Sequence, residues 1–197
     1  MLKRCFDFII SIVALIVLSP ILLLIAVLIK ATSSGSIFFR QERVGRFGYN
    51  FHIHKFRTMV AGSEFIGPQI TTENDVRITK IGHFLRRYKL DELPQLIDVC
   101  FGDMSLVGPR PEVPKYVSCY PKEVRDVVLS VRPGITDLAS IAYRKESEIL
   151  TSALDPNQVY ISEVLPAKLE FYVDYVKHRS FWGDIRIIIL TIKVVLF

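Results

Sequence analysis

The residues best suited to chemistry lie between Arg86 and Arg110. An adjacent carboxylate pair, Asp91 and Glu92, is preceded by Arg86 and Arg87 and followed, after Gly108 and Pro109, by Arg110. Two carboxylates among three guanidiniums make an anion site with an ionised acid in it. Pro94 favours the first turn of a helix, which places Asp91 at or near the N-cap, where free backbone N–H groups and the positive end of the dipole stabilise negative charge. Successive residues diverge by about 100° on a helix, so the pair shares one cleft only at such a terminus. An Asp-Glu pair by itself more commonly marks a capped, solvated helix start, so the surrounding chain has to decide.

Other chemistries find less support. His52 and His54 alternate onto one face of a strand, but two histidines without a third ligand are more often polar surface, and they are assigned no role. The glycines match neither a phosphate-binding loop nor a dinucleotide motif, so ATP and NAD are not implied. The three cysteines, Cys5, Cys100 and Cys119, lack paired spacing, which supports neither a disulfide framework nor a zinc site and suits a reducing compartment. With 25 Lys and Arg against 20 Asp and Glu, the net charge of +5 favours an anionic partner. No nucleic-acid partner is expected, because the basic residues follow no known module and an apolar N-terminal run would be left unexplained.

The elements that must position the pair are short. Ile37 to Met59, with Gly45, Gly48 and Asn50 at its centre, reads as a β-hairpin carrying Arg40, Arg43, Arg46, Lys55 and Arg57. Arg77 to Tyr88 has apolar residues at helical spacing, and Asp91 to about Phe101 reads as a second helix closed by Gly102. Gly102 to Pro111 is expected to be an irregular loop. Pro114 to Ser130 reads as a helix interrupted near Pro121, followed by a turn at Pro133 and Gly134. Three helices are expected to finish the chain, with Asp155 capping one, Pro156 and Pro166 in first turns, and the last starting near Ser180. That last helix, apolar but carrying Arg186 and Lys193, fits an interfacial or a core position.

Half of the 197 residues are hydrophobic, and the mean hydropathy of +0.34 owes much to the start of the chain. Phe8 to Ile29 contains no charge, and about 22 residues make roughly 33 Å of helix, enough to cross a bilayer core. Ser19 and Pro20 interrupt the run. A proline removes a helical hydrogen bond, and a neighbouring hydroxyl can satisfy the freed carbonyl. The pair reads as a bend, with Lys3 and Arg4 before the run and Lys30, Arg40, Arg43 and Arg46 after it, which suits two ends on the cytoplasmic side. A kinked but spanning helix fits the same pattern.

The stretch DELPQLIDVCFGDMSLVGPRPE from Asp91 to Glu112, with QERVG at Gln41 to Gly45, KFRTM at Lys55 to Met59 and RPGIT at Arg132 to Thr136, closely resembles the bacterial sugar transferases, the monotopic polyprenyl-phosphate phosphoglycosyl transferases. The resemblance covers nearly the whole chain, and its size resembles the minimal small form. After RPGIT the chain departs from many relatives, with Asp137, Leu138, Ala139 and Ser140 where those carry Gly and Trp.

The resemblance implies a mostly helical α+β fold. Residues 1–32 would form a re-entrant membrane helix-break-helix turning at Ser19 and Pro20, and residues 33–197 a cytoplasmic catalytic domain with a β-hairpin and amphipathic interfacial C-terminal helices. It implies transfer of a phosphosugar from a UDP-sugar donor to a polyprenyl phosphate acceptor such as undecaprenyl phosphate. UMP is released and Mg²⁺ is required, in the first membrane step of polysaccharide or other glycoconjugate biosynthesis at the bacterial inner membrane. Asp91 would be the nucleophile. Glu92 would orient the metal or Asp91, and the pair suits Mg²⁺, which combines one or two carboxylates with phosphate oxygens. Arg110, stiffened between Pro109 and Pro111, presents a fork suited to phosphate. Arg86, Lys55 and Arg57 are weaker phosphate-binding candidates, equally readable as surface charges. Membrane lipid is a further partner, and a homo-oligomer is left open. The basic hairpin and net charge also fit a non-catalytic membrane module that binds anionic lipid or a partner protein.

Overall fold

The apolar run makes one helix, and Pro20 does not end it. In the computed structural model, which describes residues 2–63, 71 and 75–196, α1 runs from Leu2 to Thr32 with Pro20 inside it. The expected division into two helices at Ser19 and Pro20 is therefore corrected to one continuous helix. The reason is local. Proline at position 20 deprives the Ile16 carbonyl of its helical donor, and the Ser19 hydroxyl donates to that carbonyl at 2.7 Å.

Both halves of α1 lie against the rest of the chain. Phe6, Ala14, Leu15 and Leu18 pack on a core containing Leu106, Tyr175 and Ile187. Ile25 and Ile29 are buried with Phe56 and Leu85. The remaining face, including Ile9, Ile16, Val17, Leu23, Leu24 and Val27, is exposed and apolar.

The hairpin forms as expected. β1 (Phe38–Val44) pairs antiparallel with β2 (Asn50–Phe56), from Phe38 opposite Phe56 to Val44 opposite Asn50. The next helix starts later than its apolar spacing suggests. Ile78 bridges to Met59, and the N–H of Thr79 donates to the Thr58 carbonyl at 2.9 Å. Thr79 then caps α2 (Lys80–Arg87), accepting from the Gly82 N–H. The expected helix from Asp91 splits into a 3₁₀ turn, Leu90–Glu92, and α3 (Gln95–Phe101), which Gly102 closes in the left-handed region at φ 94°.

The expected loop at 102–111 contains a strand instead. β3 (Ser105–Val107) pairs in parallel with β4 (Gly134–Thr136), where only a turn was expected. Three-residue strands carry no legible period, and this pairing depends on two glycines meeting. A Cβ on Gly134 would lie 2.1 Å from the Gly108 nitrogen.

Pro121 separates α4 (Pro114–Val117) from α5 (Lys122–Val128) as expected. More helices than three then follow: α6 (Leu138–Ala142), α7 (Glu146–Thr151), α8 (Pro156–Val159) capped by Asp155, a π-helical turn at Tyr160–Val164, α9 (Leu165–His178) and α10 (Phe181–Leu196). The C-terminal core joins Val113, Tyr116 and Val128 to Tyr160, Leu169 and Tyr172. α10 buries Asp184 and Ile187, as a core helix would, while Trp182, Ile189 and Ile192 stay exposed.

Candidate functional site

The chain reverses between α2 and the 3₁₀ turn through Lys89, a non-glycine residue held at φ 55° in the left-handed region. A conformation of this kind costs on the order of 1–3 kcal/mol and tends to occur at functional sites. It delivers Asp91 and Glu92, 2% and 7% exposed, toward β2 on one side and the Gly108–Glu112 segment on the other. Asp91 is thus in a separate turn and not at the N-cap of α3, whose N-cap position is taken by Pro94. Side-chain cations, and not the helix end expected from the sequence, therefore neutralise the pair.

Lys55 on β2 places its ammonium 2.8 Å from Asp91 Oδ2 and 3.3 Å from Glu92 Oε1. Arg110 forks onto Glu92, with Nη1 donating to Oε2 at 3.1 Å and Nη2 to Oε1. Burial alone raises the pKa of Glu92, but Arg110, Lys55 and Lys89 outweigh it and hold the carboxyl well below its ordinary value. Arg110 is raised in turn, chiefly by Glu92. The two shifts agree on an ionised, bidentate pair. Asp91 Oδ1 differs from its neighbours: it is buried and, among the described residues, has no hydrogen-bond donor.

Arg110 is aimed by the segment that carries it. The Gly134 N–H donates to the Pro109 carbonyl at 2.9 Å, and the Val44 N–H to the Glu112 carbonyl at 2.9 Å. Arg43 donates to the Pro111 carbonyl at 3.0 Å and lies 3.6 Å from the Glu112 carboxylate, which also accepts from the Tyr160 hydroxyl at 2.7 Å. Hairpin, β4 and the π-helical turn therefore converge on one short segment.

The remaining expected residues separate into two groups. Arg86 is half-buried and, among the described residues, its guanidinium makes no hydrogen bond or ion pair. Burial lowers its pKa, with Asp91 the largest opposing influence. Arg57 is joined by no bond to the carboxylates, and its Nη2 donates to Ser33 after the end of α1. Ser19 and Pro20 lie on α1, away from the carboxylate pair in their bonding.

Sequence reasoning missed Lys89, whose strongest electrostatic partner is Glu92 although burial, Arg110 and Lys55 leave its ammonium below the ordinary value. It also missed the buried Gln95, whose Oε1 is unpaired, and the Arg43–Glu112–Tyr160 contacts. Positions 43, 112 and 160 share no local period, so only folding joins them. His54 proves structural. Its Nδ1 meets Asp98 Oδ1 at 2.5 Å and its N–H donates to Asp98 Oδ2 at 2.8 Å, which pins β2 to α3.

Among the described residues no group of three His, Cys, Asp or Glu side chains could hold a metal ion by itself. Magnesium commonly uses one or two carboxylates and completes its shell with phosphate oxygens and water. Asp91 fits that use through its unpaired Oδ1; Glu92 fits less well, since Arg110 and Lys55 already engage both its oxygens.

The family model for bacterial sugar transferases matches residues 1–197. The chain is 40% identical over 193 residues to a UDP-glucose:undecaprenyl-phosphate glucose-1-phosphate transferase of Klebsiella pneumoniae, covering 96% of this chain and 39% of that protein. It is 36% identical over 197 residues to a UDP-N-acetylgalactosamine-undecaprenyl-phosphate N-acetylgalactosaminephosphotransferase of Aeromonas hydrophila, covering 99% of this chain and 44% of that protein. Against the exopolysaccharide production protein ExoY of Sinorhizobium fredii it is 34% identical over 208 residues, covering 98% of this chain and 84% of that protein. The chain thus spans about two fifths of the first two relatives and most of the third.

Proposed function

The chain belongs to the bacterial sugar transferase family, and from that premise we propose that it transfers a sugar phosphate from a UDP-sugar to undecaprenyl phosphate through a covalent intermediate on Asp91. One observation carries the covalent step: a buried carboxylate oxygen, Asp91 Oδ1, has no donor while its twin is held by Lys55. The free oxygen attacks the sugar-bearing phosphorus, an Asp91 O–P bond forms, and the P–O bond to UMP breaks. An oxygen of the acceptor phosphate then attacks the same phosphorus, breaking the Asp91 O–P bond and regenerating the carboxylate. The first step exchanges a diphosphate for a mixed carboxylic–phosphoric anhydride of comparable energy and the second reverses that exchange, so one crowded encounter becomes two.

Attack by an anion on a diphosphate is opposed by repulsion, so positioned positive charge is the main requirement. Lys55, Arg86, Lys89 and Arg110 surround two carboxylates, which leaves positive charge over for the donor. Arg110, oriented by Glu92, and the unpaired Arg86 are assigned to its phosphates. When bound, Mg²⁺ would neutralise diphosphate charge beside the Asp91–Glu92 pair; with Oδ1 assigned to the attack, Asp91 would reach the metal through Oδ2, which Lys55 now holds.

For topology, we assign α1 as re-entrant, with the domain on the cytoplasmic face of the inner membrane. Its two ends meet one body: Arg4 donates to the Cys100 carbonyl at 2.9 Å, and Ile25 and Ile29 are buried with Phe56 and Leu85. A straight helix of this length is about 46 Å long. Standing upright in a bilayer, it would hold only one end near the domain. The deciding experiment for function is intact mass after mixing with UDP-glucose or UDP-N-acetylgalactosamine without lipid. An adduct of one sugar phosphate is expected, absent in Asp91→Asn; undiminished turnover in that variant would remove Asp91 from the mechanism.

A further inference from the structure

Arg57 is 6% exposed, yet its bonds engage only one guanidinium nitrogen. Nη2 donates to the Ser33 carbonyl at 2.9 Å and to the Ser33 hydroxyl at 2.7 Å, while Nε and Nη1 are buried without an acceptor. No carboxylate pairs with Arg57 among the described residues. Charged donors left open in a buried place are costly, and structures seldom keep them without a ligand or water to fill them.

The surroundings indicate what fills these. The guanidinium lies where α1 ends, with the Gly35 backbone so close that a Cβ there would come within 2.2 Å of Nη1. Lys30 bonds the Gly35 carbonyl in the same turn. A helix C-terminus carries about half a negative charge, and two full cations meet it here, so this corner is net positive. Along the last turns of α1, Leu24, Val27 and Leu28 are exposed.

In the other direction, the Arg57 N–H donates to the Ile37 carbonyl at 2.9 Å, which extends the β2 ladder. Lys55, which holds Asp91, is two residues earlier. Two residues of extended chain span about 7 Å.

We propose that Arg57 seats the phosphate of the lipid acceptor, a phosphomonoester at the end of an isoprenoid chain whose tail lies on Leu24, Val27 and Leu28. Its unpaired Nε and Nη1, covered by the Gly35 turn, receive the phosphate oxygens once that turn yields, and the ladder from Arg57 to Lys55 sets the distance to the aspartyl phosphorus. The inference rests on the transfer reading above and adds a division of labour. Arg110 and Arg86 serve the donor, and Arg57 serves the acceptor.

The two half-reactions separate it from a structural role. In Arg57→Gln, adduct formation from the UDP-sugar should stay within about threefold of the parent while the KM for undecaprenyl phosphate rises about tenfold or more, the range for losing a charge-assisted hydrogen bond. Arg57→Lys, which keeps the charge and loses the fork, should fall between, and it carries the test if the glutamine variant does not fold. An unchanged acceptor KM, or equal loss in both half-reactions, would overturn the proposal, the second because Arg57 would then only brace α1.

Calorimetric titration of farnesyl phosphate and of inorganic phosphate into both proteins supplies an arm independent of turnover. Arg57-dependent binding of farnesyl phosphate that exceeds binding of inorganic phosphate is expected even if no aspartyl adduct is ever found. Equal binding of the two would show a free-phosphate seat and defeat the lipid assignment.

Discussion

Two buried acidic clusters in this molecule are built on opposite balances of charge. At the site, Lys55 and Arg110 contact Asp91 and Glu92, and Arg86 and Lys89 act on the pair from further off, as Arg132 does on Asp7 in the other cluster. Between α1 and α10, Asp7 and Asp184 share one cation, Lys3, which lies 2.6 Å from Asp184 and 3.7 Å from Asp7. Neutral donors supply the rest, with the Ser105 hydroxyl 2.7 Å from Asp7 and the Tyr175 hydroxyl 2.9 Å from Asp184. Surplus positive charge can accept an anionic substrate, whereas surplus negative charge repels one. On the proposed function the first cluster is the reaction site, while the second is a fastener that ties α1 to the domain, although each contains a buried aspartate with an unpaired Oδ1.

Isosteric amides test this contrast most severely. Asp91→Asn should abolish the adduct and lower turnover by about 10³-fold or more, as loss of a nucleophile does. Asp7→Asn should leave adduct formation within about twofold and stability within about 1 kcal/mol, since the amide oxygen can still accept from Ser105. A comparable loss of adduct in both would erase the distinction.

Next in size is Arg110→Ala. It strands Glu92 as a buried charge, and breaking such a pair costs on the order of 3 kcal/mol, less here because Arg110 keeps partial solvent contact and Lys55 remains. Turnover should fall by about 10²-fold. Denaturant unfolding and UMP release measure the two effects separately, and an unchanged donor KM would withdraw Arg110 from the phosphates.

Smaller still is an effect of acid. Glu92 is ionised below its ordinary value of 4.5, so its stabilisation is complete above that pH and is lost as pH falls through the depressed folded value. The stability gap between the parent and Glu92→Gln should be flat from neutral pH down to about 5 and close below it. A gap that closes near neutrality would contradict the ionised pair. The smallest expected change concerns topology. Pro20→Leu restores the helical donor to Ile16, and cysteine labelling of the N-terminus from the outer face reports any straightening across the membrane. An unchanged cytoplasmic N-terminus would show that the contacts of Arg4 and Lys3 hold α1 without the proline.

Much of the local structure was legible because it depends on neighbours in the chain. The hairpin around Gly45 and Gly48, the closure of α3 at Gly102, the cap at Asp155 and the break at Pro121 all follow from backbone preferences that a few residues decide. The parallel pairing of β3 and β4 was not legible, because its glycines are 26 positions apart and only the packed chain brings Gly108 against Gly134. Helix α3 misled for a related reason. Pro94 does stand at its start, but the left-handed Lys89 puts Asp91 in a turn of its own.

By itself, the order of residues determined the apolar helix, the carboxylate pair, the basic residues near it and the family that its motifs indicate. These are properties of composition and short spacing, and hydrophobicity, charge and proline act at that range. Which cation meets which carboxylate was decided only in three dimensions. Lys55, Glu92 and Arg110 come from separate elements, while Arg57, two residues from Lys55, turns to the end of α1 instead. Electrostatic pairing is strong only within a few ångströms and out of water. Tertiary packing alone sets those distances and that dryness, so it alone separated the unpaired Asp91 oxygen from the charges around it.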